Sequence, residues 1–176
     1  MNTETEMRYR LDIVSPSVTD AVAFAGGWLF DRAMAGWDVT VLIPNTGEDV
    51  RPLEILGATV LDLEPVLESW TDRPHPQTVS VAAGLFENDE RVRRHVRKAL
   101  DHGLTEVTVW GDHCPAELHS DVDAVRHELS AAARAFKSQA LAAVGADDRA
   151  ADQHVETFRC GMMTRRSVAT DLIPAS

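Results

Sequence analysis

Over RYRLDIV, residues 8 to 14, Tyr9, Leu11 and Ile13 fall on one face and Arg10 and Asp12 on the other, the two-residue period of a strand. SPSVTD breaks the alternation, with Ser17 placed as an N-cap and Asp20 three residues on as a short-acid version of the capping box. Val18, Val22, Ala25, Leu29 and Ala33 then recur at helical spacing, which predicts a helix over about 17–35 that Gly36 ends. WDVTVLIP follows as a second strand, so the opening is a βαβ unit with a right-handed crossover.

The pattern repeats. DVRPLEILGA reads as a short helix closed by Gly57, TVLDLE as a third strand and ESWTDRPHPQ as a proline-broken loop. TVSVAAG predicts a fourth strand and TEVTVW a fifth. Between them NDERVRRHVRKALDHG carries acids early and bases later, as the helix dipole favours, and stops at Gly103. Beyond, Val125, Leu129, Ala132, Phe136, Ala140 and Val144 form a stripe of threes and fours; helices are predicted over about 120–144 and 148–166, split by GADD. Val155, Phe158, Met162 and Met163 lie on one side of the second.

These elements predict a three-layer Rossmann-like α/β sandwich: a mostly parallel five-stranded sheet ordered 3-2-1-4-5 with a helical C-terminal third, as a single domain over 1–176. The sheet occupies 8–110 and the C-terminal helices 115–166. AGWDVTVLIP is similar in form to the helix end and second strand of many nucleotide and nucleotide-sugar proteins, a resemblance of architecture that carries no function.

A formal net charge of -11 removes the basic face that phosphate neutralisation needs, so no nucleic-acid partner is expected. No run of about 18 apolar residues occurs, so no membrane partner is expected either. MNTETEMRYR has no apolar stretch behind it, and Cys114 and Cys160 are expected as free thiols, which places the chain in the cytoplasm. Lys98 and Lys137 are the only lysines beside 15 arginines, a balance typical of GC-rich bacterial coding.

In such a sheet, ligands sit beyond the carboxyl ends of the strands where the strand order reverses. The candidates there are Ser15, Ser17 and Thr19 after the first strand, Ala83 and Gly84 after the fourth, and Asp112, His113 and Cys114 after the fifth. GxGxxG and GxxxxGK[ST] loops are both absent, and Gly26 and Gly27 come too late, so no standard dinucleotide or P-loop site is expected and the cofactor is left open. The start of the first helix offers free N–H groups beside two hydroxyls, a generic site for a small anion, although capping alone also accounts for them. The paired glycines suit close packing against a neighbour or a ligand leaning on the helix.

In WGDHCPAEL, Pro115 suits a first helical position, which makes Cys114 an N-cap whose thiolate the helix dipole favours, with His113 or Asp112 as partner. Zinc is not expected: Asp112, His113, Cys114 and His119 lack ligand spacing, and HELSA at 127–131 has Ala131 where a second histidine would stand. Asp12 and Asp62 are expected in ion pairs with helix arginines. Arg165, Arg166 and Ser167 have the form of a basophilic kinase site, but a frayed basic terminus accounts for them as well. Three readings follow: a non-catalytic binder of a small anionic ligand or a protein partner, an enzyme using Cys114 as a nucleophilic or redox thiol, and an assembly protein forming a homodimer through its C-terminal helices.

Overall fold

The computed structural model describes residues 8–146, 153–161 and 171–175. The strands are β1 (Arg10–Val14), β2 (Asp38–Ile43), β3 (Thr59–Asp62), β4 (Thr78–Ala82), β5 (Glu106–Trp110), β6 (Asp123–Glu128), β7 (Val155–Gly161) and β8 (Ile173–Pro174). The helices are α1 (Val18–Met34), α2 (Arg51–Ile55), α3 (Leu63–Glu68), α4 (Ala83–Asn88), α5 (Glu90–His102) and α6 (Ala131–Ala143).

One sheet holds all eight strands in the order β3-β2-β1-β4-β5-β7-β6-β8. The first five pair in parallel in the expected order. Leu11 and Ile13 of β1 face one core with α1, and Val14 faces a second with Leu63, Phe86, Val92 and Val96 of α3, α4 and α5. This is the three-layer α/β fold, its central strands buried on both faces.

Where a helical C-terminal third was expected, three strands extend the sheet instead. β7 runs antiparallel to β5, β6 to β7 and β8 to β6. Of the predicted helix over 120–144 only Ala131–Ala143 is helical, capped by Ser130, whose hydroxyl accepts from Ala133 N. The helix predicted over 148–166 is strand from Val155 to Gly161. Met162, Met163, Arg165, Arg166 and Ser167 lie outside the described residues. Of the two C-terminal helices through which a homodimer was expected, the described residues keep Ala131–Ala143 and place strand β7 where the second was predicted.

Why these residues form strands is visible in what they bury. Glu156 and Phe158 of β7 point to α1 and are 3% exposed each. Glu156 accepts from the N–H groups of Gly27 and Trp28 at 2.8 and 2.7 Å. Lys137 of α6 donates to Glu156 at 2.7 Å and to the Ala23 carbonyl at 2.8 Å. In a regular helix the Gly27 N–H would serve the Ala23 carbonyl; here an ion pair is stitched between the two. The paired glycines have their cause in close packing: a Cβ on Gly27 would stand 2.2 Å from Leu129 Cδ2. A second buried network joins Arg32, 1% exposed, to Glu106, Thr78 and Asp171, with its guanidinium over the Trp28 and Trp37 rings.

Candidate functional site

The carboxyl ends of β1, β4 and β5 gather the sequence-derived candidates at one edge of the molecule. Ser15 is fully buried and its hydroxyl donates to the Ser17 carbonyl at 2.7 Å. Ser17 caps α1 as expected, accepting from Asp20 N at 3.1 Å. The Val18 N–H of the same turn is taken by Glu48, from the loop after β2, at 2.7 Å. A protein carboxylate thus already occupies part of the expected anion cradle, and Thr19 stands exposed beside it. Ala83 is buried in α4, and Gly84, next to it, opens on free space.

The ends of β1 and β5 are acidic. Burial, and then the nearby carboxylates of Asp112 and Glu48, push the Asp20 carboxyl above its ordinary value. Gly111 makes the turn out of β5 at φ +135°, a conformation a side chain rarely adopts, with Ala83 close behind. That turn sets Asp112, His113 and Cys114 along the rim of a cavity of about 320 Å³, whose other walls include Trp110, Thr157, Phe158 and Arg159.

Within this cavity the three expected residues are not equivalent. His113 Nε2 pairs with Glu87 of α4 at 2.7 Å, and no hydrogen bond joins it to Cys114 among the described residues. The expectation that Cys114 caps a helix is corrected: Pro115 precedes a single 3-10 turn, Ala116–Leu118, too short to have a useful dipole. Burial pushes the Cys114 thiol up, with Arg159 opposing, so it is held protonated and not activated. Cys160 is pushed up further, to about 12, chiefly by burial. Both cysteines are free thiols.

Two groups that the sequence reading passed over complete the site. Trp110 is 3% exposed and its indole N–H has no hydrogen-bond partner among the described residues. A buried donor left unpaired is costly, and marks a place where a ligand atom can repay the desolvation. Arg159 lies on β7, a segment read as helix, which hid its placement beside the end of β5. The only signal for Trp110 was its position as the last residue of the fifth strand.

The remaining candidates have structural employment. His127, on a strand and not on a zincin-type helix, pairs with Asp31 at 2.7 Å and bonds to the Asp171 carbonyl at 2.9 Å. Asp62 caps α3, accepting from Glu64 N at 3.2 Å, where an ion pair was expected. Asp12 is paired as expected, though with Arg73 of a loop and Arg10 of its own strand. Among the described residues no group of three or more His, Cys, Asp or Glu side chains is placed to hold a metal ion. No described helix is long and apolar enough to cross a membrane.

No known family model and no curated protein sequence matches the chain. Solved structures do. The deacetylase Dbv21, which acts on A40926 pseudoaglycone, is similar over 90% of this chain and 100% of its own, with a TM-score of 0.63 and 16% identity. The zinc-inhibited form of the teicoplanin deacetylase Orf2 is similar over 86% of this chain and 97% of its own, with a TM-score of 0.58 and 14% identity. The 4-carboxy-2-hydroxymuconate hydratase GalB of Pseudomonas putida is similar over 92% and 99%, with a TM-score of 0.60 and 14% identity. At such identities the fold is what is shared. These structures are enzymes of two kinds, a finding that overturns the expectation of a non-catalytic binding protein.

Proposed function

We propose that the chain is an enzyme that directs water at an electrophilic carbon, working in the cavity beyond the carboxyl end of β5. Deacetylation consumes water at an acyl carbon and hydration adds it across a double bond, so water as nucleophile is what the similar structures have in common by their printed names. The observation that carries the reading is one cavity lined by His113, which Glu87 of α4 holds from outside it, by Arg159 and by Trp110, whose buried N–H has no partner among the described residues.

Each residue has a role in this scheme. In the tautomer whose Nε2–H donates to Glu87, Nδ1 of His113 is left as the acceptor for a proton from water. Trp110 N–H and Arg159 supply the donors for the oxygen on which negative charge builds, in a site shaped before the substrate arrives. Asp112, Asp20 and Glu48 make the outer rim acidic, and Arg159 is the positive charge on the cavity wall that a substrate carboxylate would meet. A small carboxylate or acyl compound fits; the anionic character expected from the α1 start is here assigned to Arg159 instead. Cys114 forms part of the wall. Among the described residues, the side chains at this cavity do not form a metal-binding group. Two free thiols support a reducing, cytoplasmic setting.

The test is turnover of N-acetylglucosamine, read as acetate release, and of 4-carboxy-2-hydroxymuconate, read as loss of its absorbance. His113→Asn and Trp110→Phe are each expected to lower kcat by about a hundredfold or more, the scale for losing a base or a positioned donor. Turnover of neither compound, or variants as active as the parent, would refute the reading.

A further inference from the structure

A second cavity, of about 330 Å³, opens at the opposite, amino end of the strands, between the loop leading into β4 and helix α5. Its apolar walls are Trp70, Pro74, Pro76, Ala99 and Leu104. Asp12 of β1, 2% exposed, lines it from the sheet side. One carboxylate oxygen, Oδ2, accepts from Arg73 at 3.2 Å. The other, Oδ1, has no hydrogen-bond partner among the described residues; Arg10 Nη2 stands 3.7 Å away, an ion-pair distance only. A buried carboxylate oxygen without a donor is a site waiting for one.

Charge around the cavity is also unspent. Of the two lysines in the chain, Lys137 is buried on Glu156, whereas Lys98 is exposed at this rim and pairs with no acid among the described residues. His75 is committed to Thr105 at 2.5 Å. His95 stacks on Trp70 with ring centres 4.6 Å apart, so the two present a flat aromatic wall. Burial, Arg94 and Lys98 hold His95 below its ordinary value, which keeps that ring uncharged. Burial pushes the Asp12 carboxyl above its ordinary value despite Arg73 and Arg10, so the donor it lacks need carry no charge of its own.

We propose that this cavity binds a small aromatic acid bearing an O–H or N–H donor: the donor meets Asp12 Oδ1, the ring lies against Trp70 and Leu104, and the acid group faces Lys98. The volume suits a single ring with a short side chain, and an apolar pocket with a few aimed polar groups is the usual form of a small-molecule site. It is separate from the cavity beyond β5, since the two share no lining residue.

The probe is 4-hydroxyphenylacetate, titrated into the full chain and followed by tryptophan fluorescence and by melting temperature, since Trp70 lines the cavity. Saturable binding is expected. Phenylacetate, which lacks the donor, and tyramine, which carries an ammonium in place of the acid, should each bind about tenfold or more weakly, a difference of about 1.4 kcal/mol. Lys98→Glu, an exposed change, should cause a similar loss, and Ala99→Trp should abolish binding by filling the cavity. His113→Asn should leave it unaltered. No saturable binding, equal binding of phenylacetate, or full binding by a folded Lys98→Glu variant would each overturn the proposal.

Discussion

The parallel half of the sheet, β1 to β5, and the antiparallel extension, β6 to β8, are attached to the same helix by different mixtures of contact: mainly apolar for the first, with Arg32 reaching Thr78 and Glu106, and mainly polar for the second, beside the Trp28–Phe158 ring contact. Against the parallel strands α1 presents Val18, Ala21, Val22, Ala25 and Leu29 to Leu11, Ile13, Val39 and Val41, an apolar contact that any similar set of side chains would make. Against the extension it presents polar handles: the Gly27 and Trp28 N–H groups to Glu156, Arg32 and the Trp28 indole to Asp171, and Asp31 to His127 and Ser130. Apolar contact sets how much surface is covered. Directional contact sets which segment covers it and in what register, because an unpaired buried charge penalises every other arrangement.

That contrast breaks first at Glu156. Glu156→Leu leaves the Lys137 ammonium buried without its partner and should cost about 3–5 kcal/mol in urea unfolding, of which a Glu156→Leu/Lys137→Met double variant regains most. A loss under about 1 kcal/mol would mean that the extension is held by its apolar contacts after all.

Gly27→Ala comes next. The added methyl meets Leu129 within 2.4 Å at two atoms and should cost about 1–3 kcal/mol. Gly84→Ala, in the open part of α4, should be neutral or slightly stabilising, because alanine favours helix. Equal effects at the two glycines would remove close approach as the cause of the first.

Asp171→Ala removes the acceptor shared by Arg32 and the Trp28 indole and should cost about 1–3 kcal/mol in thermal unfolding, less than Glu156→Leu because Glu106 and Thr78 still hold Arg32.

The smallest effect sharpens the contrast from the working end. The folded state raises the Asp20 carboxyl above its ordinary value of 3.8, so the fold loses stability as pH rises from below that value through the folded one. Asp20→Asn escapes this loss, and should melt slightly higher than the parent at neutral pH and at the same temperature in acid. A gain that persists below pH 3.8 would show that charge is not its source.

Much of the parallel half was legible in the chain. Strands buried on both faces announce themselves as short apolar runs, and Gly57, Gly103 and Ser17 sit where helices start or stop. The extension was not. In β7 the buried positions are Glu156, Phe158 and Gly161, and the alternation disappears when one buried position is an acid and another a glycine. Val125 and Leu129 have helical spacing, yet Val125 pairs with Phe158 across strands while Leu129 fills the gap over Gly27. The candidate cavity shared this fate: Asp112, His113 and Cys114 could be proposed from the end of a strand, but Arg159 could not, because its placement depends on β7.

By itself, the sequence determined the α/β class and the order of the five parallel strands, because period and turn residues act locally. Only the tertiary structure decided that residues 155–161 pair with β5, that His113 turns to Glu87 instead of Cys114, and that Trp110 and Asp12 each keep a buried polar atom with no hydrogen-bond partner among the described residues. Those outcomes depend on which distant group satisfies a buried charge or donor, and a linear pattern carries no record of that partner.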